Sequence, residues 1–282
     1  MRTGANLAFA RGNCCHTCRP SGGDRALFVM RPELIAVEAG GVTWLVREDS
    51  APSVTLLRDP EHYLAQRQLL IKDSALVTIS RVPAASPSDK RLVLRRLNYR
   101  NWRHCLRDFF RPSRAMMAMM RGLELEAAGV PTPRPLAVAE VRRCRWPLRA
   151  YLVTEEVPQA LGIGWVIRQK PATIPMLSRK LAAALAKLHD AGFSHRDLKP
   201  ANILVSGDNE VTFIDLDAVR KFGTLPEGRA VEDLTRLSRG LDGFPGISAL
   251  LYGRFLKHYC RLRGLNWQHW WRLLRASSGL MR

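Results

Sequence analysis

One short stretch restricts this chain more than any other: His195-Arg196-Asp197-Leu198-Lys199-Pro200-Ala201-Asn202-Ile203-Leu204-Val205, followed by Phe213-Ile214-Asp215. Ile203-Leu204-Val205 and Val211-Thr212-Phe213-Ile214 are short apolar runs rich in β-branched residues, and the intervening Ser206-Gly207-Asp208-Asn209 is a cluster of turn formers. The pattern predicts a β-hairpin. Asn202 and Asp215 then stand at adjacent strand ends. Asp197 lies five residues before Asn202 and eighteen before Asp215. A charged surface turn accounts for Asp-Leu-Lys-Pro alone, but not for the two apolar flanks and this spacing.

These residue types fit phosphoryl transfer. Such a site needs a carboxylate to accept the proton of the attacking hydroxyl, and oxygen ligands for magnesium from two backbone segments. Asp197 is the expected base, and Lys199 is placed to offer its ammonium to the transferred group. Asn202 supplies a neutral amide oxygen for the metal and Asp215 a charged one. His195 and Arg196 are expected to hold the loop rather than do chemistry.

The length of 282 residues suits one two-lobed domain or two small ones, and 46% hydrophobic residues can build a core. The balance of 44 basic and 25 acidic residues leaves +19. Such a surface attracts polyanions, although an arginine-rich composition also follows from a GC-rich genome. Cys105, Cys144 and Cys260 are scattered, as in a reduced cytosolic protein. Cys14-Cys15-His16-Thr17-Cys18 is half a metal site with no second ligand pair, so it is not read as a metal centre. No apolar run approaches the roughly 18 residues of a membrane span, so a soluble or peripherally attached protein is expected.

Residues 1–29 lack periodicity and are expected to be a disordered leader or a mis-assigned start, with Met30 as the alternative first residue. Leu69-Leu70-Ile71, residues 75–82 and residues 91–95 are strand candidates, with Lys72-Asp73-Ser74 as the first turn. Residues 113–128 read as a helix capped by Ser113, with Met116, Met119, Met120, Leu123 and Ala127 on one face. Gly129 ends it, and three prolines enforce an extended exit. Residues 150–154 read as a buried strand leading to a hinge at Glu155-Glu156-Val157-Pro158. Residues 177–189 form an amphipathic helix that delivers the chain to His195, and the part after Glu232 is mostly helical.

With these elements placed, the chain resembles the Kdo/heptose lipopolysaccharide kinases of Gram-negative bacteria, the Kdo/WaaP-type (InaA-like) branch of the protein-kinase-like superfamily. The resemblance runs from about Gln68 to about Leu241. It is carried by Arg95 to Trp102, by Arg111-Pro112-Ser113-Arg114-Ala115, by Gly129 to Pro135 and by Tyr151 to Glu155. The segment from His189 through Asp217 is the strongest match, and Glu232-Asp233-Leu234 follows it. The resemblance implies an α+β, bilobal kinase-like fold, with a small antiparallel-sheet N-lobe at 30–155 and a mostly helical C-lobe at 156–282. It implies ATP and Mg2+ as cofactors, and phosphorylation of a sugar hydroxyl on the lipid A–core oligosaccharide at the inner face of the cytoplasmic membrane. Asp197 is carried over as base, Asn202 and Asp215 as magnesium ligands, and Glu155 and Val157 as the hinge that meets the nucleotide. Asp217 matches a recurring second acid, and Asp233 is expected to brace the catalytic loop. The nucleotide-binding lysine of the third strand falls at Arg95, and Lys72 at the first turn is a further candidate for the phosphates. The helix at 113–128 has no acid near its middle, and no glycine-rich loop precedes it.

Residues 91–121 hold nine arginines against one acid, Asp108, and residues 254–282 hold seven basic residues and no acid, interleaved with Trp267, Trp270 and Trp271. Two such runs with tryptophans point to an anionic membrane surface. No nucleic-acid motif accompanies the charge, and none of that class is expected as partner. Two other readings stand beside the sugar kinase: a kinase acting on protein or a small molecule, and a non-catalytic module that holds an anionic partner.

Overall fold

The computed structural model describes residues 33–50, 52–84, 90–99, 109, 111–143 and 146–278. The expected leader at 1–29, the cysteines at 14, 15, 18, 105 and 144, and Arg100, Arg103 and Arg107 lie outside the described residues.

The first half is one antiparallel sheet. Strands β1 (Leu34–Ala39) and β2 (Val42–Arg47) form a hairpin across Gly40 and Gly41, whose φ of +60° and +72° suit a tight two-residue turn. Two short helices follow, α1 (Val54–Arg58) and α2 (Pro60–Ala65), the second capped by Asp59 through the His62 amide at 3.1 Å. Then come β3 (Leu70–Asp73), β4 (Val77–Val82), β5 (Leu92–Asn98), helix α3 (Arg114–Ala127), β6 (Pro135–Arg143) and β7 (Trp146–Glu155). The sheet order is β1-β2-β6-β7-β5-β4-β3. Successive side chains alternate across the sheet. One face packs Leu94, Tyr151 and Val153 with Trp44, Leu56, Leu57 and Leu64. The other packs Leu97, Ala150 and Leu152 against α3 and the helical half.

The sheet is larger than the sequence suggested, because β1, β2 and β6 join the expected strands. The first turn is also displaced. Lys72 and Asp73 are part of β3, paired with Ile79 and Thr78, and the Thr78 hydroxyl donates to the Asp73 carboxylate at 3.0 Å. Those cross-strand bonds extend the ladder and move the turn to residues 74–76, where the Val77 amide donates to Ser74 Oγ.

The second half contains β8 (Leu161–Gly162), α4 (Ile163–Gln169), α5 (Ile174–Asp190), β9 (Phe193–His195), the hairpin β10 (Ile203–Val205) and β11 (Val211–Phe213), β12 (Val219–Lys221), α6 (Glu227–Leu241), α7 (Ala249–Leu262) and α8 (Trp267–Ser278). Of the three C-terminal tryptophans, Trp270 is a core residue rather than an interfacial anchor. Trp270 is buried, with its ring 5.8 Å from Tyr259, and Trp267 and Trp271 pack partly buried against the same core. The amphipathic stripe of α7 needs a hydrophobic cover, and these rings supply it. Among the described residues no helix is long and apolar enough to cross a membrane.

Candidate active site

Helix α5 ends at Gly192, whose φ of +81° turns the chain into β9. A Cβ at Gly192 would meet the Phe222 carbonyl at 2.6 Å, so the glycine is required twice over. β9 pairs with β12 and brings His195 opposite Val219. His195 is fully buried, its amide donates to Asp233 Oδ2 at 2.7 Å, and its Nε2 lies 2.9 Å from the Ile214 carbonyl. Asp233, on α6, thus braces the loop entry, as expected for it. Asp233 also faces His189 Nε2 at 3.4 Å, and His189 Nδ1 meets the Tyr259 hydroxyl at 2.6 Å.

The loop then presents Asp197 and Lys199 and closes in a single 3-10 turn, Pro200–Asn202. Asn202 Nδ2 donates to the Asp197 carbonyl at 2.9 Å and to Asp197 Oδ2 at 3.0 Å. Lys199 Nζ lies 2.7 Å from Asp197 Oδ2. The Ile214 amide donates to the Asn202 carbonyl at 3.0 Å, which places Asp215 beside Asn202 across the hairpin ends. The site therefore brings together Asp197, Lys199, Asn202 and Asp215. An asparagine bonded through its nitrogen keeps its oxygen as the ligating atom.

Asp215 has φ +64° and ψ +50°, a left-handed conformation that is uncommon for a residue other than glycine and tends to mark functional positions. Arg95 reaches it from β5: Nη2 lies 2.9 Å from Asp215 Oδ1 and 3.7 Å from Asp217 Oδ1. Arg96 points to the other face and pairs with Glu61. Asp217 also binds the Arg114 guanidinium at the start of α3. Burial pushes the Asp217 carboxyl above its ordinary value, and its contact with the Asp215 carboxyl adds to the rise. Burial acts the same way on Asp215, but the hydrogen bond with Asp217 and the Arg95 charge outweigh it and hold Asp215 low. Asp215 is thus the acid that stays ionised and suited to a cation.

The remaining expected residues sit apart from this cluster. Lys72 is exposed on β3, the edge strand, separated from β5 by β4. The Glu155 carboxylate pairs with Lys90 at 2.8 Å and Arg134 at 3.3 Å, and its amide donates to the Arg134 carbonyl. The Val157 carbonyl accepts from the Ala160 amide. The Glu156 amide donates to the Arg91 carbonyl at 2.8 Å, so these backbone groups of the hinge are already engaged within the chain.

The donor set fits a nucleotide with its metal. Asp215 and Asn202 could hold a cation through two side-chain oxygens, leaving its other positions to phosphate and water. Arg95 Nε and Asp217 Oδ1 are buried without a hydrogen-bond partner among the described residues, an opening for further polar contacts. Among those residues no group of three or more His, Cys, Asp or Glu side chains forms a self-sufficient metal site.

Two residues escaped the sequence reading. Gly240 lies within α6, where a Cβ would meet Pro200 Cδ at 2.5 Å, so its absence lets the Pro200–Asn202 turn approach the helix. A glycine inside an otherwise good helix was the available signal. Arg114 belongs to a quoted motif but had no role assigned.

A seven-stranded sheet stacked on helices, with Asp197, Asn202 and Asp215 gathered at one hairpin, is the architecture of a protein-kinase-like protein. The family model described as the lipopolysaccharide kinase (Kdo/WaaP) family matches residues 88–276, and the chain belongs to that family. It is 31% identical over 143 residues to the 3-deoxy-D-manno-octulosonic acid kinase of Vibrio cholerae, which is 51% of this chain and 53% of that protein. It is 36% identical over 99 residues to the enzyme of the same name from Vibrio parahaemolyticus, 35% of this chain and 41% of that protein. The chain thus spans about half the length of the curated relatives it matches, or less. A solved structure, WaaP in complex with acyl carrier protein, superposes with a TM-score of 0.56 over 79% of this chain and 92% of that one, at 19% identity. This likeness concerns the fold.

Proposed function

We propose that this protein is an ATP- and Mg2+-dependent kinase that phosphorylates a hydroxyl of Kdo or heptose in the lipopolysaccharide core, working peripherally at the inner, cytoplasmic face of the membrane. The observation that carries the reading is the meeting of Asp197, on its loop, with Asn202 and Asp215 at two adjacent strand ends, with Arg95 reaching in from the sheet. Asp197 accepts the proton of the sugar hydroxyl, and its half-exposed carboxylate leaves room for that hydroxyl. Lys199 offers positive charge where the oxygens of the transferred group gather. Asn202 and Asp215 hold the cation, and Arg95 meets the phosphates with a forked donor pair. ATP supplies the γ-phosphoryl group, with magnesium screening its charge. The backbone of Glu155 to Val157 is the expected rest for the base. The lipid A–core acceptor is itself anionic, which suits a chain of +19.

The non-catalytic alternative has one observation in its favour, since Arg95 engages Asp215 directly. That pair leaves Asp197 and Asn202 in place, so the catalytic reading is preferred. Phosphate analysis of lipopolysaccharide from a deletion strain tests it. Loss of one core phosphate, restored by the wild-type gene and not by Asp197→Asn, is expected. An unchanged phosphate pattern would sink the proposal.

A further inference from the structure

Kinase-like sites commonly couple a strand cation to an acid in the helix behind it, and activity requires both. Helix α3 has no such acid near its middle: its acids, Glu124 and Glu126, come in the last turn. We infer that Arg114 and Asp217 are positioning residues that take over this coupling with reversed charge, the helix supplying the cation and the metal-ligand segment the acid. The inference rests on the kinase reading above.

Arg114 is the first residue of α3, directly after its cap, Ser113, whose hydroxyl accepts from the Met116 amide at 3.1 Å. A cation there faces the positive end of the helix dipole, which is unfavourable by itself. Asp217 answers it. This acid sits on the single turn Leu216–Ala218, two residues after Asp215, and its side chain is 6% exposed. It is not a solvated surface partner of the kind that contributes little. From Asp217 the line continues to Arg95 at 3.7 Å and from Arg95 to Asp215 at 2.9 Å. Helix α3, strand β5 and the metal-ligand segment are therefore joined by four alternating charges. The helix start is itself fixed to the sheet, because the Ser113 amide donates to Glu140 Oε1 on β6 at 2.6 Å. The other oxygen of Glu140 accepts from Arg142 Nε at 2.9 Å. Removing Arg114 leaves a buried acid short of a cation. Arg95 must then answer Asp217 as well as Asp215, and the segment that presents Asp215 shifts.

The test is calorimetric binding of ATP with and without magnesium, beside thermal unfolding, for the wild type, Arg114→Gln, Arg114→Lys, Asp217→Asn and the double variant Arg114→Gln/Asp217→Asn. Magnesium is expected to strengthen ATP binding to the wild type. In Arg114→Gln that strengthening falls by about tenfold, while metal-free binding changes by less than about twofold. Arg114→Lys restores part of the magnesium effect. The double variant loses no more than the larger single loss, because the two residues act as a unit. A purely structural pair would lower the unfolding midpoint and leave the magnesium effect intact, and that result overturns the inference while the kinase reading stands. A wild type whose ATP binding ignores magnesium overturns both. If Arg114→Gln does not fold, the near-isosteric Asp217→Asn carries the same comparison.

Discussion

At position 95 an arginine presents two forked nitrogens where a lysine presents one, and Nη2 already lies 2.9 Å from Asp215. Arg95→Ala is expected to lower ATP turnover strongly, by about a hundredfold, as for loss of a charge-stabilising donor. Arg95→Lys should retain or raise it, and Lys72→Ala on the exposed edge strand should have a smaller effect. Steady-state turnover with a core-sugar acceptor decides; a neutral Arg95→Ala beside a dead Lys72→Ala would reassign the phosphate contact. His189 gives a pH prediction. It is fully buried between Asp233 and Tyr259, with Arg263 and Asp190 nearby, and burial pushes its pKa below the ordinary 6.5. The folded protein thus keeps it neutral where the unfolded chain would protonate it. Its contribution to stability is complete above pH 6.5 and is lost as pH falls from there toward the folded value. The unfolding midpoint should drop across that window, and His189→Gln should flatten the drop; an equally steep profile in the variant would contradict this. The grouping of Asp197, Asn202 and Asp215 was legible in the sequence because the three share one local stretch. The Arg114–Asp217 pair was not, because its partners are 103 residues apart and only the fold brings them together.

Elements announced themselves where local signals agree. Helix α3 shows a cap, a stripe of buried Met116, Met119 and Leu123, and a Gly129 stop with φ +68°. The hairpin of β10 and β11 shows two β-branched runs around turn formers, with Asn209 at φ +60°. β6 did not announce itself. It begins with Pro135, contains three small or weak strand formers in Ala137, Ala139 and Glu140, and becomes a strand because β2 and β7 pair with it on both sides. Lys72 was misplaced for a related reason, since its pairing with Ile79 outweighs the turn propensity of Asp73 and Ser74. Two element-level outcomes are expected. Ser113→Ala should destabilise the protein by about 1 kcal/mol in urea unfolding, the worth of one helix cap. Gly240→Ala should reduce turnover more than stability alone explains, since the added Cβ meets Pro200 Cδ at 2.5 Å on the turn that carries Asn202. Wild-type turnover in a folded Gly240→Ala would show that the turn yields freely.

At the scale of the whole molecule, the charge of +19 is only partly available at the surface. Arg95, Arg96 and Arg114 of the first basic run are engaged by Asp215, Glu61 and Asp217. Arg263 of the second is engaged by Asp190. Arg254, Lys257, Arg261, Arg272 and Arg275 are exposed on α7 and α8. With Trp270 in the core and Trp267 and Trp271 half-buried against it, any hold on an anionic membrane should be chiefly electrostatic. Arg272→Gln/Arg275→Gln should then weaken binding to anionic vesicles by about tenfold at low salt, and the difference should shrink as salt rises. Equal binding across the salt series would remove this face from the account. The division into sheet and helical halves was readable from element order, whereas the destination of the tryptophans depended on a core that periodicity does not locate. The central claim is most directly tested by incubating purified protein with ATP, magnesium and a lipid A–core acceptor carrying Kdo or heptose, and following phosphate on the acceptor by mass spectrometry. The account predicts magnesium-dependent transfer by the wild type, and its loss in Asp197→Asn with ATP binding nearly unchanged. Transfer by Asp197→Asn at the wild-type rate, or none by the wild type to any core acceptor, would contradict it.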